Sequence, residues 1–184
     1  HLVFEGEHLP LATLEGMRDR TVTISSAGKT FSVTGWKIGW ACATPPLISA
    51  VQTAKQFLTF AGGTPLQHAV AAGFGLPDDR LREVCDDLRM RRDLFCDGMR
   101  DLGFDVLAPA SGYFATTDIT SIGEHDAAAF CAQLPGRCGV VGIPSHVFYD
   151  HTDDARALVR WAFCKSMPTL EEALRRLGQL SPSR

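Results

Sequence analysis

Hydrophobic and polar positions change rhythm along this chain, and the changes predict its elements. Thr21-Val22-Thr23-Ile24 alternates in β-branched residues and reads as a short strand. The apolar run from Trp36 to Thr44, stopped by Pro45-Pro46, reads as another strand, and the Ser-, Gly- and Thr-rich segment between them, Ser25 to Gly35, reads as a loop. Leu47 to Phe57 has helical spacing, Ala61-Gly62-Gly63-Thr64-Pro65 breaks it, and Leu66 to Gly73 reads as a buried helix. From Arg80 to Leu102 the chain is charged and amphipathic, with Leu81, Val84, Leu88, Leu94 and Met99 toward one side. Asp78 or Asp79 serves as its expected N-cap and Gly103 as its C-cap.

Beyond that helix, Asp105 to Ala108, Tyr113 to Ile119, Gly139 to Ile143 and Leu158 to Cys164 read as strands. Ala127 to Leu134 reads as a helix, and Leu170 to Leu177 as a closing amphipathic helix capped by Thr169. His1-Leu2-Val3-Phe4 reads as the end of a strand already under way, so the chain is expected to start inside a larger fold. The second half mixes strands and helices in a compact α+β pattern, with the long helix as the natural hinge between two domains.

Composition narrows the class without naming a function. Apolar residues make up 45% and charged residues 21%, the balance of a soluble globular protein. A net charge of −3 with no basic stripe argues against a nucleic-acid partner. Apolar stretches such as Ala69 to Phe74 are too short to span a bilayer. Cysteines at 42, 85, 96, 131, 138 and 164 form no C-x-x-C pair and read as buried, reduced thiols of a cytoplasmic protein. The histidine spacings do not suggest a metal site.

Candidate chemistry concentrates in Ser25-Ser26-Ala27-Gly28-Lys29-Thr30-Phe31-Ser32-Val33-Thr34-Gly35-Trp36-Lys37-Ile38-Gly39-Trp40. A lysine in a small-residue loop can approach a bound aldehyde without steric conflict and condense with it. Ser26 and Lys37 supply a hydroxyl donor and a cation, which suits a phosphate dianion. Gly28-Lys29-Thr30 also looks like the end of a nucleotide-binding P-loop. That motif needs glycine at position 23, where this chain has Thr23, and a helix after it, so the nucleotide reading is set aside.

The segment from Ser26 to Gly39 resembles the lysine segment of class I, fold type I, pyridoxal-phosphate-dependent aminotransferases, S-x-G-K-x-F-x-x-T-G-W-(R/K)-x-G. It is most similar to the branch of kynurenine aminotransferases, cysteine-S-conjugate β-lyases and succinyldiaminopimelate aminotransferases. His1 to Gly16, Phe60 to Gln67, Ser111-Gly112-Tyr113-Phe114, and Leu158 to Lys165 followed by Thr169 to Ala173 resemble further segments of that family. The likeness covers effectively the whole chain and reads as the family's C-terminal half. It implies an α/β fold, with the end of a large cofactor domain over residues 1–76 and a small C-terminal α+β domain over 77–184 that includes the connecting helix.

The resemblance also implies roles. Lys29 would bond the aldehyde of pyridoxal 5'-phosphate and act as the catalytic proton carrier. Ser26 and Lys37 would hold the cofactor phosphate, and Phe60 would line the pocket from a neighbouring subunit of a homodimer. Arg160 would bind the substrate α-carboxylate. Trp36 and Trp40 are expected to pack, Tyr113 to belong to the small-domain sheet, and Ser145 to Tyr149 to form a loop near the pocket mouth. The implied substrates are an L-amino acid and a 2-oxo acid. The aspartate at the pyridine nitrogen, the ring-stacking aromatic residue, and the asparagine and tyrosine at the ring oxygen lie N-terminal to His1 in the family pattern. Residues 1–184 alone are therefore expected to lack useful activity. β-Elimination of cysteine conjugates, an inactive interaction module, and a regulatory domain fused to a DNA-binding segment stay open as rivals.

Overall fold

The strand-forming stretches pair into two separate antiparallel sheets in the computed structural model, which describes residues 1–180. The chain divides into two compact units. One comprises Glu7–Arg82 with His1, and the other joins Leu2–Gly6 to the chain from Glu83 onward.

In the first unit, strand β1 (Thr23–Ser26) pairs with β2 (Gly39–Cys42) in the register Thr23↔Cys42 to Ser26↔Gly39. The segment between them is not a plain loop. Ala27–Thr30 closes one helical turn, α1, capped by the Ser26 side chain. Helices α2 (Pro45–Leu58) and α3 (Thr64–Gly73) follow, each with proline in its first turn, where no backbone donor is lost. Ala27, Ile38 and Val70 form a small core, flanked by Phe31, Val33, Trp40 and Leu66. Trp40 packs edge-on against Phe74, at 4.9 Å between ring centroids. Trp36, expected to pack, lies more than a third exposed.

The second unit is built on a four-stranded sheet of order β3-β4-β6-β5, all antiparallel. Its strands are β3 (Asp105–Leu107), β4 (Phe114–Asp118), β5 (Ile143–Pro144) and β6 (Leu158–Ala162). Period-two alternation sends Ala115, Thr117, Val159 and Trp161 into the core and leaves Phe114, Thr116, Leu158 and Arg160 on the other face. Helices α4 (Asp78–Asp101), α5 (Ala127–Cys138) and α6 (Met167–Leu177) contribute Met99, Phe130, Leu134, Leu170 and Leu177 to that core. The Trp161 indole N–H donates to Thr117 Oγ1 at 2.9 Å, so the one polar pair inside this face is satisfied.

Several local expectations change. Gly139 ends α5 in the left-handed region (φ 69°), so the chain from Gly139 to Gly142 does not extend as a strand and β5 keeps two residues. Helix α5 runs through Pro135, which sits near its end. Ser166, not Thr169, caps α6, accepting from the Thr169 N–H. Asp78 and Asp79 lie inside the first turn of α4, where their charge suits the helix dipole, and Gly103 closes it at φ 89°. The buried stripe of α4 is Cys85, Leu88, Arg92, Phe95, Cys96 and Met99, while Val84 is exposed. Arg92 belongs there because its head is fully engaged. It donates to Glu5 at 2.8 Å and to the Pro109 carbonyl at 3.1 Å, and lies over the Phe4 ring. Leu2–Gly6 is also held by its backbone, with a single bridge at Val3↔Ser111 rather than the expected strand.

Candidate functional site

Two hydrogen bonds turn the Ser/Gly-rich segment into a presenting turn for Lys29. The Gly28 N–H donates to Ser26 Oγ at 3.2 Å, and the Thr34 hydroxyl donates to the Gly28 carbonyl at 3.1 Å. Ala27 is fully buried and its N–H donates to the Ile38 carbonyl at 3.0 Å, which fastens the base of the turn to the start of β2. Lys29 is the next but one residue and is exposed, so a buried anchor carries an accessible amine.

The same end of the β1–β2 pair carries Ser26 and Lys37. Ser26 is opposite Gly39, and Lys37 lies two residues before Gly39, with its backbone left-handed at φ 56°. Ser26 Oγ uses a lone pair on Gly28, so its own O–H proton remains available to an acceptor. Among the described residues neither the Lys29 nor the Lys37 side chain makes an ion pair or a hydrogen bond. Two unpaired cations and a free hydroxyl donor form a donor set that fits an aldehyde bearing a phosphate.

Among the described residues, the non-glycine positions with positive φ are Ser32, Lys37 and Phe60, the first two in the segment between β1 and β2. Each such conformation costs about 1–3 kcal/mol and is held where surrounding contacts over-determine it. Phe60 follows α2, donates its N–H to the Lys55 carbonyl at 2.9 Å, and is 80% exposed. It therefore takes no part in the core of its own unit.

Gly39 has a readable physical reason. A Cβ there would lie 2.8 Å from the Ser25 carbonyl oxygen, inside any tolerated contact, so the two strands approach only because this residue is glycine. We expect Gly39→Ala to spread the pair, lower the thermal midpoint and weaken retention of a phosphate-bearing aldehyde. An unchanged midpoint together with unchanged retention would show that the close approach does not matter.

Arg160 lies in the second unit, on the β6 face away from the core, paired in register with Thr116 on β4 and Ile143 on β5. It is half-buried, and its Nε–H is buried without a hydrogen-bond partner. Among the described residues no carboxylate pairs with it. Its guanidinium instead lies over two rings, 4.3 Å from the Phe114 centroid and 4.0 Å from that of Phe148. A buried, unsatisfied donor on a permanently charged group is a standing demand for an anion. Sequence reasoning missed both rings. Phe114 had a weak signal, the strand alternation that places it on the face of Arg160. Phe148 had only the resemblance that implied a loop near the pocket mouth over Ser145 to Tyr149, which did not single out its ring; it arrives from the helical turn Ser145–Phe148.

Other ionisable groups suggest no second centre. Burial raises the Cys131 thiol to about 11, which makes it inert at neutral pH. Among the described residues no group of three potential ligands is placed to hold a metal ion.

Comparison with known proteins gives one consistent answer. Residues 1–177 match the family model for aminotransferase class I and II. A probable N-succinyldiaminopimelate aminotransferase of Mycobacterium tuberculosis is 44% identical over 98% of this chain and 48% of its own length. A kynurenine–oxoglutarate transaminase of Dictyostelium discoideum is 36% identical over 94% of this chain and 44% of its own. Among solved structures, N-succinyldiaminopimelate aminotransferase from Mycobacterium tuberculosis superposes with a TM-score of 0.92 at 46% identity, covering 97% of this chain and 47% of that one. A methionine aminotransferase from Escherichia coli superposes at 0.89 with 30% identity, covering 96% of this chain and 47% of that one. The chain spans about half the length of the curated relatives it matches.

Proposed function

This chain belongs to the class I and II aminotransferase family, and from that membership we propose that a full-length protein carrying it transfers an amino group from an L-amino acid to a 2-oxo acid, with pyridoxal 5'-phosphate as cofactor. Members of the family use that cofactor, and their fold is the α/β fold type I. The observation that carries the reading is the Lys29 turn, an exposed and unpaired amine on a buried base beside Ser26 and Lys37.

When bound, the cofactor supplies the electron sink for the carbanion chemistry. Lys29 would hold its aldehyde and would carry a proton between the substrate α-carbon and the cofactor C4′ carbon. Ser26 would donate its hydroxyl proton to the phosphate, and Lys37 would offset the phosphate charge. Arg160 takes the substrate carboxylate through two parallel hydrogen bonds, which fixes orientation as well as affinity.

We further propose a homodimer in the reducing cytoplasm. Helix α2 buries none of its residues, and Phe57, Leu58 and Phe60 stand about four-fifths exposed, an apolar surface that suits a second protomer with Phe60 entering its pocket. All six cysteines are free thiols, four buried and Cys42 and Cys164 exposed, which suits a reducing compartment. Among the described residues no helix is long and apolar enough to cross a membrane.

The test is a donor and acceptor screen on the full-length holoenzyme. N-succinyldiaminopimelate, kynurenine and methionine are the first donors, because relatives of this chain are named for them. Transfer to a 2-oxo acid is expected. Release of a thiol and pyruvate from cysteine conjugates, without transfer, would replace it with β-elimination.

A further inference from the structure

Phe114 and Phe148 contribute to neither hydrophobic core of this chain. Phe148 is 57% exposed, an unfavourable place for a large apolar ring that has no function there. Yet the two rings converge on one group, with centroids 4.3 Å and 4.0 Å from the Arg160 guanidinium carbon. They come from unrelated elements. Phe114 opens β4, two residues before the register partner of Arg160. Phe148 ends a helical turn that begins directly after β5, whose Ile143 is the register partner of Arg160 on the other side.

That turn is itself held in place. Pro144 fixes its entry at φ −66°, Ser145 is buried, and the Tyr149 N–H closes it on the His146 carbonyl at 3.1 Å. The chain thus leaves the sheet beside Arg160, makes one rigid turn, and returns a ring onto the same side chain.

We propose that Phe148, with Phe114, is a positioning residue for the substrate carboxylate, acting through Arg160. This rests on the carboxylate-binding role proposed above and names what holds that arginine. An arginine side chain has several rotatable bonds, and a bidentate pair with a carboxylate needs its planar fork in one orientation. Rings over the fork favour that orientation by cation–π attraction, which strengthens where water is excluded. They accept no N–H hydrogen bond in the plane of the fork, so the guanidinium edge stays open to a carboxylate. A carboxylate side chain in their place would occupy that edge and compete with the substrate. Two aromatic neighbours hold the cation without neutralising it, and the Arg160 Nε–H is buried without a hydrogen-bond partner.

The test uses the full-length holoenzyme and steady-state kinetics with an amino-acid donor, its 2-oxo acid, and a primary amine lacking a carboxylate. Phe148→Leu keeps apolar bulk and removes the ring. We expect it to raise KM for the amino acid and the oxo acid about three- to thirty-fold, with kcat within about two-fold and the amine reaction unchanged. Phe148→Tyr keeps the ring and should restore KM to within about two-fold of wild type. Phe148→Met reads the same contact should Phe148→Leu fail to fold. Unchanged KM in the ring-less variants overturns the proposal, as does equal damage to amine and amino-acid reactions. Arg160→Ala run in parallel separates the two levels. If it harms amine and amino acid alike, the carboxylate role of Arg160 fails and this proposal with it. If it harms only carboxylate substrates while the Phe148 variants change nothing, the positioning role alone is wrong.

Discussion

Lys29→Ala, placed in a full-length holoenzyme, is expected to remove the pH-dependent absorbance of lysine-bound cofactor and to lower turnover by roughly 10²–10⁴-fold or more. General acid–base catalysis by a positioned group accounts for about that factor alone, and the covalent hold on the cofactor is lost with it. The fold should survive. The turn is fastened by Ala27, the Ser26 cap and the Thr34–Gly28 hydrogen bond, none of which involves the Lys29 side chain. The thermal midpoint of the variant without cofactor should therefore match that of the wild type without cofactor. Lys29→Arg is a sharper control, because guanidinium keeps the charge but neither condenses with an aldehyde nor releases a proton near neutrality. Borohydride reduction followed by peptide mapping reads the assignment directly. A label on Lys37, Lys55 or any other lysine would sink it, as would an alanine variant that keeps both its absorbance and its rate.

Arg160→Ala is the second large effect. Removing one partner of a desolvated charge pair costs about 2–5 kcal/mol, so kcat/KM for amino acids and 2-oxo acids should fall roughly 30- to 5000-fold. Primary amines without a carboxylate should lose little. The structure makes this contrast readable. Arg160 is on the outer face of β6, whereas the core positions Val159 and Trp161 face the other way, so truncation opens no core cavity. Arg160→Lys should recover only part of the loss, because a single ammonium cannot reproduce the two parallel hydrogen bonds. Equal losses for amines and amino acids would mark Arg160 as a structural residue.

How legible these sites were varied with the kind of information each required. Helix α4 and strands β4 and β6 stand close to where their periodicity put them, because the spacing of apolar residues reports which face must be buried, whereas α2 and α3 form near their expected bounds but bury no residue and only Val70 respectively. The Lys29 segment was legible only through its resemblance to a family, since a lysine in a Ser- and Gly-rich stretch is ordinarily a solvated one. Its conformation was not legible. Composition indicated a loop, and α1 forms because burial of Ala27 and the link from Ala27 to Ile38 stabilise four residues that have little helical preference of their own.

By itself, the sequence determined the periods, the glycine at position 39, and the family resemblance that singles out Lys29, Ser26, Lys37 and Arg160 as candidates. Periodicity is local and specifies a face, not the neighbour that covers it. The order β3-β4-β6-β5, the burial of the charged Arg92 beside Glu5 and Phe4, and the meeting of Phe114 and Phe148 over Arg160 were decided only by the tertiary structure. Each joins residues distant in sequence, and such pairings depend on how the whole unit satisfies its buried surface and hydrogen bonds at once. Arg92 shows the limit most clearly. A local reading places a charged residue outside, whereas here the neighbouring Asp93 and a carboxylate arriving from residue 5 together make its burial favourable.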